Sequence, residues 1–107
     1  MIYEVRTYDC KPQSVPEVEK RFAEAYETRK KFSQLAAYWH TEIGPLNQVI
    51  HVWPYKDLEE RRATRMKSRE TGDWPPSAAA KKAGLPAYRL AMQENKIVMP
   101  AAFSPIQ

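Results

Sequence analysis

The stretch Tyr38–Tyr55, YWHTEIGPLNQVIHVWPY, decides the fold of this 107-residue chain. Two runs rich in aromatic and β-branched residues flank Gly44-Pro45-Leu46-Asn47. Such runs around a turn cluster read as paired strands. A tight turn that sets Ile43 opposite Gln48 places His40 across from His51, Tyr38 across from Trp53 and Glu42 across from Val49. Side chains alternate along a strand, so these six share one face. The other face carries Ala37, Trp39, Thr41, Ile43, Ile50 and Val52. That face is nearly all apolar and is expected to pack under helices, with Trp39 in the core. The first face, aromatic and ionisable, is expected to line a pocket.

Working outward, Ile2–Asp9 alternates as a strand, with Tyr3, Val5 and Thr7 on one face and Glu4, Arg6 and Tyr8 on the other. The second set joins the pocket face. A helix follows, opened by a capping box of Ser14 with Glu17 and by Pro16 in its first turn. Val15, Val18, Phe22, Ala25, Tyr26 and Phe32 form its apolar stripe, so it should run to about Phe32. Pro54 is expected to end the hairpin ladder because it lacks a backbone donor. Asp57 caps a second helix with Glu60 as reciprocal partner, Leu58, Ala63 and Met66 as its thin stripe, and Gly72 as its stop. Asp73-Trp74-Pro75-Pro76 is a joint, with Trp74 as a lid or a staple, before a short helix at Ser77–Ala83. Tyr88–Glu94 reads as the last main strand, Ile97–Met99 as a short terminal one, and the tail 100–107 as a C-terminal arm. The order β-α-β-β-α-(α)-β is an α+β, ferredoxin-like βαββαβ pattern. It fits a single domain over 1–107, the size of one compact core.

A fold of this kind leaves one sheet face bare. An aromatic face with Tyr8, Tyr38 and Trp53 calls for a cover, and a second copy of the same sheet supplies one. The expected assembly is a homodimer, a dimeric α+β barrel whose interior is lined by Glu4, Arg6, Tyr8, Tyr38, His40, Glu42, His51 and Trp53.

Composition removes several classes of function. No apolar run reaches about 18 residues, so no membrane span is expected. The opening Met1-Ile2-Tyr3-Glu4 is no secretory signal, and a single cysteine, Cys10, forms no internal disulfide, so the expected setting is reducing and cytoplasmic. Net charge is +4, with the excess in Lys20–Lys31 and Arg61–Arg69, where interleaved acids mark solvated helix faces rather than a nucleic-acid footprint. No P-loop, nucleophile elbow, dinucleotide fingerprint or cysteine metal cluster occurs, and no cofactor is expected.

The Tyr3-Glu4-Val5-Arg6-Thr7-Tyr8 opening, the run Tyr38–Tyr55 around Gly44-Pro45-Leu46-Asn47, and the closing Pro100-Ala101-Ala102-Phe103-Ser104-Pro105-Ile106 resemble the NIPSNAP family. The resemblance implies a dimeric α+β barrel. It also implies a superfamily that holds small monooxygenases, haem-degrading enzymes, isomerases and proteins with no known chemistry.

His40, Glu42 and His51 are the His/carboxylate cluster that the hairpin brings together. Three readings stay open: a metal site, a proton-handling pair His40/His51, and a hydrogen-bonded cross-strand pair that organises the interior. No metal ligands are assigned among them. Arg6, Tyr8, Tyr38, Glu42 and Trp53 are the candidate ligand-binding residues, for a small aromatic or carbonyl-containing molecule. The expected function is a small-molecule-binding homodimer, acting as a cofactor-independent monooxygenase or isomerase in its enzymatic form. The alternative is an interaction module that works through its basic helices or its C-terminal arm.

Overall fold

The computed structural model describes residues 1–85 and 92–107. Its elements are β1 (Ile2–Asp9), α1 (Val15–Arg29), β2 (Ala37–His40), β3 (Gln48–Tyr55), α2 (Leu58–Glu70), α3 (Pro76–Lys82) and β4 (Met92–Val98). One antiparallel sheet has the strand order β2-β3-β1-β4. That order and the alternation of strands with helices give the ferredoxin-like α+β fold read from the sequence. The last strand is single, Met92–Val98. The part of the expected strand before Met92 lies outside the described residues.

The hairpin register differs from expectation by two residues. Tyr38 faces His51, Trp39 faces Ile50 and His40 faces Val49. The last cross-strand bond runs from Thr41 N–H to the Gln48 carbonyl, 3.0 Å, which leaves a six-residue loop, 42–47. Backbone geometry accounts for the longer loop. Gly44 at φ 112° and Asn47 at φ 62° turn the chain, Pro45 has no N–H for a ladder, and the Cys10 N–H holds the Asn47 carbonyl at 2.7 Å. β3 continues through Pro54, which pairs with Tyr3, while β2 pairing stops at Ala37–Val52.

A shift of two keeps side-chain parity, yet the two faces have exchanged roles. Val49, His51, Trp53 and Tyr55 are the buried residues of β3. α1 packs on them through Phe22, whose ring lies 4.6 Å from Tyr38, 5.0 Å from His51 and 6.2 Å from Trp53. The core is Phe22, Ala25, Trp53, Tyr55 and Trp74. The apolar face with Val5, Trp39, Ile50 and Val52 is the open one, and Trp39 is 57% exposed rather than core. The ionisable face can be covered because Glu4 is paired with Arg6 and Arg61 and the Trp53 N–H donates to His51 Nδ1.

α2 docks by charge rather than by an apolar stripe. Its buried residues are Thr64 and Ser68, while Leu58 and Met66 point outward. Arg61 reaches Glu4 Oε2 at 2.7 Å, and Arg65 stands 3.9 Å from Glu4 Oε1. The Asp57 cap forms as expected: Asp57 Oδ1 accepts the Glu60 N–H at 2.8 Å, and the Glu60 carboxylate accepts the Lys56 N–H. The Ser14 box does not form. The Ser14 hydroxyl donates instead to the Lys11 carbonyl at 2.6 Å, and α1 ends at Arg29, short of Phe32. The tail folds back on β1, where the Tyr3 hydroxyl donates to the Gln107 main-chain oxygen at 2.6 Å.

Candidate functional site

The inward turn of the aromatic face creates the site. Between the sheet, α1, α2 and the Trp74–Ser77 segment lies a cavity of about 290 Å³. It sits within one protomer, not between two sheets as the barrel-interior argument expected. Its size is at the lower end for organic ligands and suits a molecule of one or two rings.

Of the residues expected to bind a ligand, Arg6, Tyr8, Tyr38 and Trp53 line this cavity, and His51 lines it with them. His40 and Glu42 do not. His40 sits at the strand end, its side chain 51% exposed, with Nδ1 3.0 Å from Glu19 on α1. Glu42 is exposed in the loop. The two-residue register change therefore separates the expected His40–His51 pair, and the His40/Glu42/His51 cluster is not assembled. Among the described residues no group of three or more His, Cys, Asp or Glu side chains gathers to hold a metal.

The cavity wall is strongly basic. Arg6, Arg21, Arg29, Arg65 and Arg69 line it, and no carboxylate does. Glu4 lies behind the wall, fully buried, its Oε2 accepting from Arg61 at 2.7 Å, Asn95 at 2.8 Å and Arg6 at 3.2 Å. Burial would raise its carboxyl, but the bonds from Arg61 and Asn95 and the charges of Arg6 and Arg61 hold it below the usual carboxylate value. One carboxylate thus serves two guanidiniums directly and leaves the wall net positive.

Arg29 is the residue that sequence reasoning missed. It is 2% exposed. Among the described residues its side-chain hydrogen bonds go to neutral oxygens: Tyr55 Oη at 2.5 Å, Ser33 Oγ at 3.3 Å and Ser68 Oγ at 3.4 Å. The guanidinium stacks over Trp53 at 4.4 Å and Trp74 at 5.3 Å. Burial pushes its pKa down from the ordinary arginine value. The signal was present, since Arg29 stands seven residues after Phe22 on the same helix stripe. Trp74, which reads as lid or staple in sequence, is both core and cavity wall.

His51 is 2% exposed, and the Trp53 Nε1–H donates to its Nδ1 at 2.8 Å. Indole nitrogen is a donor only, so the ring proton of neutral His51 must sit on Nε2. Burial first, then the charge of Arg6, brings its pKa down to about 3. A metal at Nε2 would need the proton moved to Nδ1, facing another donor. His51 is therefore built as a neutral N–H donor. Cys10, buried at the end of β1, has its thiol pKa raised by burial and is a packing residue.

Fold and site together define an α+β domain with a basic, aromatic-walled cavity between sheet and helices. The profile of the NIPSNAP family matches residues 3–105, and the chain belongs to that family. It is 31% identical to Protein NipSnap homolog of Dictyostelium discoideum over 99 residues, covering 92% of this chain and 42% of that protein. It therefore spans about two fifths of that curated relative's length. A solved NIPSNAP family protein of unknown function from Agrobacterium tumefaciens is 34% identical, with a TM-score of 0.83 over 100% of this chain and 94% of that one. A putative antibiotic biosynthesis monooxygenase from Nitrosomonas europaea shares the fold at 12% identity, with a TM-score of 0.64 over 94% of this chain and 98% of that one.

Proposed function

We propose that this protein binds a small organic anion with a flat aromatic or conjugated body in the cavity between sheet and helices. The observation that carries the reading is Arg29: a buried guanidinium in the cavity wall, stacked on two tryptophans and bonded only to neutral groups. A buried charge without an opposite charge is costly, and an anionic ligand offsets that cost. Trp53 and Trp74 offer flat surfaces for the body of the ligand, and the other arginines steer it in. Cofactor-independent isomerase or monooxygenase chemistry proceeds through an anionic form of the substrate, and a positive wall favours that form. The working unit in this reading is a homodimer joined through the open apolar sheet face.

Titration of tryptophan fluorescence with 2-naphthoate and with its neutral amide, 2-naphthamide, tests the reading. The carboxylate should bind at least about 10-fold more tightly, and the preference should collapse in Arg29→Met. Equal binding of acid and amide, or no binding of either, overturns it.

A second reading has its own support in the tail, where Phe103 is 92% exposed and Ile106 69%. An interaction module would use this arm. A partner pull-down that fails once 100–107 is deleted, yet survives filling of the cavity in the full-length chain, would favour it over ligand binding.

A further inference from the structure

Among the described residues, two buried polar groups of the cavity wall have no hydrogen-bond partner: Tyr38 Oη and His51 Nε2. They belong to residues directly opposite on β2 and β3, with rings stacked at 5.4 Å and 11°. The Trp53 bond to Nδ1 makes His51 Nε2 an N–H donor. Tyr38, whose phenol pKa is raised by burial, keeps its O–H. An unmade hydrogen bond on a buried donor costs free energy, and two such donors side by side in one wall call for a shared acceptor. The charged residues that line the cavity are Arg6 from β1, Arg21 and Arg29 from α1, and Arg65 and Arg69 from α2; the acids nearest them on α1 are engaged outside the lining, Glu17 by Arg21 at 3.0 Å and Glu19, whose charge acts on Tyr38, by His40 at 3.0 Å. Glu4 is held away by Arg61 and Asn95. Donors and positive charge without an acceptor complement one chemical group, an oxygen that carries negative charge.

Resting on the anion-binding reading, we propose that Tyr38 and His51 form a two-donor site for the oxygen of a phenol or enol, bound as its anion. The arginines hold a carboxylate on the same ligand. The ligand's hydroxyl proton leaves to solvent, and no protein group needs to accept it. Trp53 acts as a positioning residue, because it fixes which nitrogen of His51 bears the proton. The ligand class is an aromatic or conjugated acid with a phenolic or enolic hydroxyl.

The probe is 6-hydroxy-2-naphthoate, whose phenolate absorbs at longer wavelength than its phenol, compared with 2-naphthoate, which lacks the hydroxyl. In wild-type protein, the bound hydroxyl should ionise at least one pH unit below the free probe, a 10-fold preference for phenolate. Tyr38→Phe, which removes one oxygen atom, should abolish most of that shift. Trp53→Phe should reduce the shift by freeing the His51 tautomer, over and above any loss of affinity common to both probes; a loss of affinity for both probes with the shift intact would deny Trp53 the positioning role. If 2-naphthoate binds but the bound phenol titrates as it does in water, the two-donor site is wrong and the anion pocket stands. A shift that survives in Tyr38→Phe likewise overturns the assignment. If neither naphthoate binds, the anion-binding reading itself falls, and this site falls with it.

Discussion

At the scale of single residues, the site rests on two side chains buried among neutral partners. Arg29 keeps its charge with only hydroxyl partners, and its hydrogen bond to Tyr55 spans α1 and β3. Removing one partner strands the other, so Arg29→Met and Tyr55→Phe should each cost about 1–3 kcal/mol. The double variant should cost clearly less than the sum, read from urea midpoints in a double-mutant cycle. Simple additivity would show that the bond contributes nothing. His51 gives a pH signature. Its folded pKa of about 3 lies below its ordinary value of 6.5, so the unfolded chain binds a proton that the folded one refuses. The stability due to neutral His51 is complete above pH 6.5 and is lost as pH falls towards 3. Between pH 7 and pH 5, wild type should lose about 2 kcal/mol more than His51→Leu, at about 1.4 kcal/mol per unit. Parallel losses in the two proteins would mean that His51 is not held neutral.

At the scale of elements, local chemistry was legible and facing was not. The Asp57–Glu60 box could be read from four consecutive residues, because a cap is satisfied within one turn. Asp57→Ala should cost about 1 kcal/mol and lower the melting temperature by several degrees. An unchanged melting temperature would show that α2 is held by Arg61 and Arg65 on Glu4 alone. The hairpin register depended on Asn47 being tied to Cys10, a contact from another strand that no local pattern contains. Gly44→Ala should destabilise the loop by about 1 kcal/mol, since φ 112° disfavours a side chain even where space is open, and urea unfolding would show it. Alternation correctly grouped Arg6, Tyr8, Tyr38, His51 and Trp53 on one face. Hydrophobicity then assigned that face to the wrong side, because the sequence did not show that Glu4 would be bonded by Arg61 and Asn95, or His51 by Trp53. Once those polar groups are satisfied, the large rings of Phe22, Trp53 and Trp74 make the ionisable face the better one to bury. Five cavity-lining residues were therefore grouped for a reason that was partly mistaken. Arg29 was missed because a charged residue on a helix stripe reads as solvated.

At the scale of the whole molecule, the protomer is a thin slab, 44 × 36 × 19 Å, one sheet and one layer of helices deep. Helices cover only one side of the sheet. The other side presents Val5, Trp39, Ile50 and Val52, and its charges on β4, Glu94 and Lys96, pair with each other at 3.4 Å. The patch of Val5, Trp39, Ile50 and Val52 is apolar, and its chemistry fits a second copy related by a two-fold axis better than a charged partner. The dimer expected from the sequence is our proposal on a different ground: the apolar face is left without a cover, while the cavity is already enclosed by the chain's own helices. Because Trp39 lies outside the cavity lining, dimerisation and ligand binding should be separable. Trp39→Glu would place a charge at the centre of the buried patch and should weaken self-association by at least about 100-fold. In sedimentation at 10 micromolar (roughly the range in which a standard-sized interface persists), wild type should run as a dimer and the variant as a monomer. The variant's affinity for 2-naphthoate should stay within about twofold of wild type, as expected for distant, independent sites. A monomeric wild type would remove the second copy as the cover of this face. A monomeric variant that loses naphthoate binding would show that the cavity needs the partner to hold its shape.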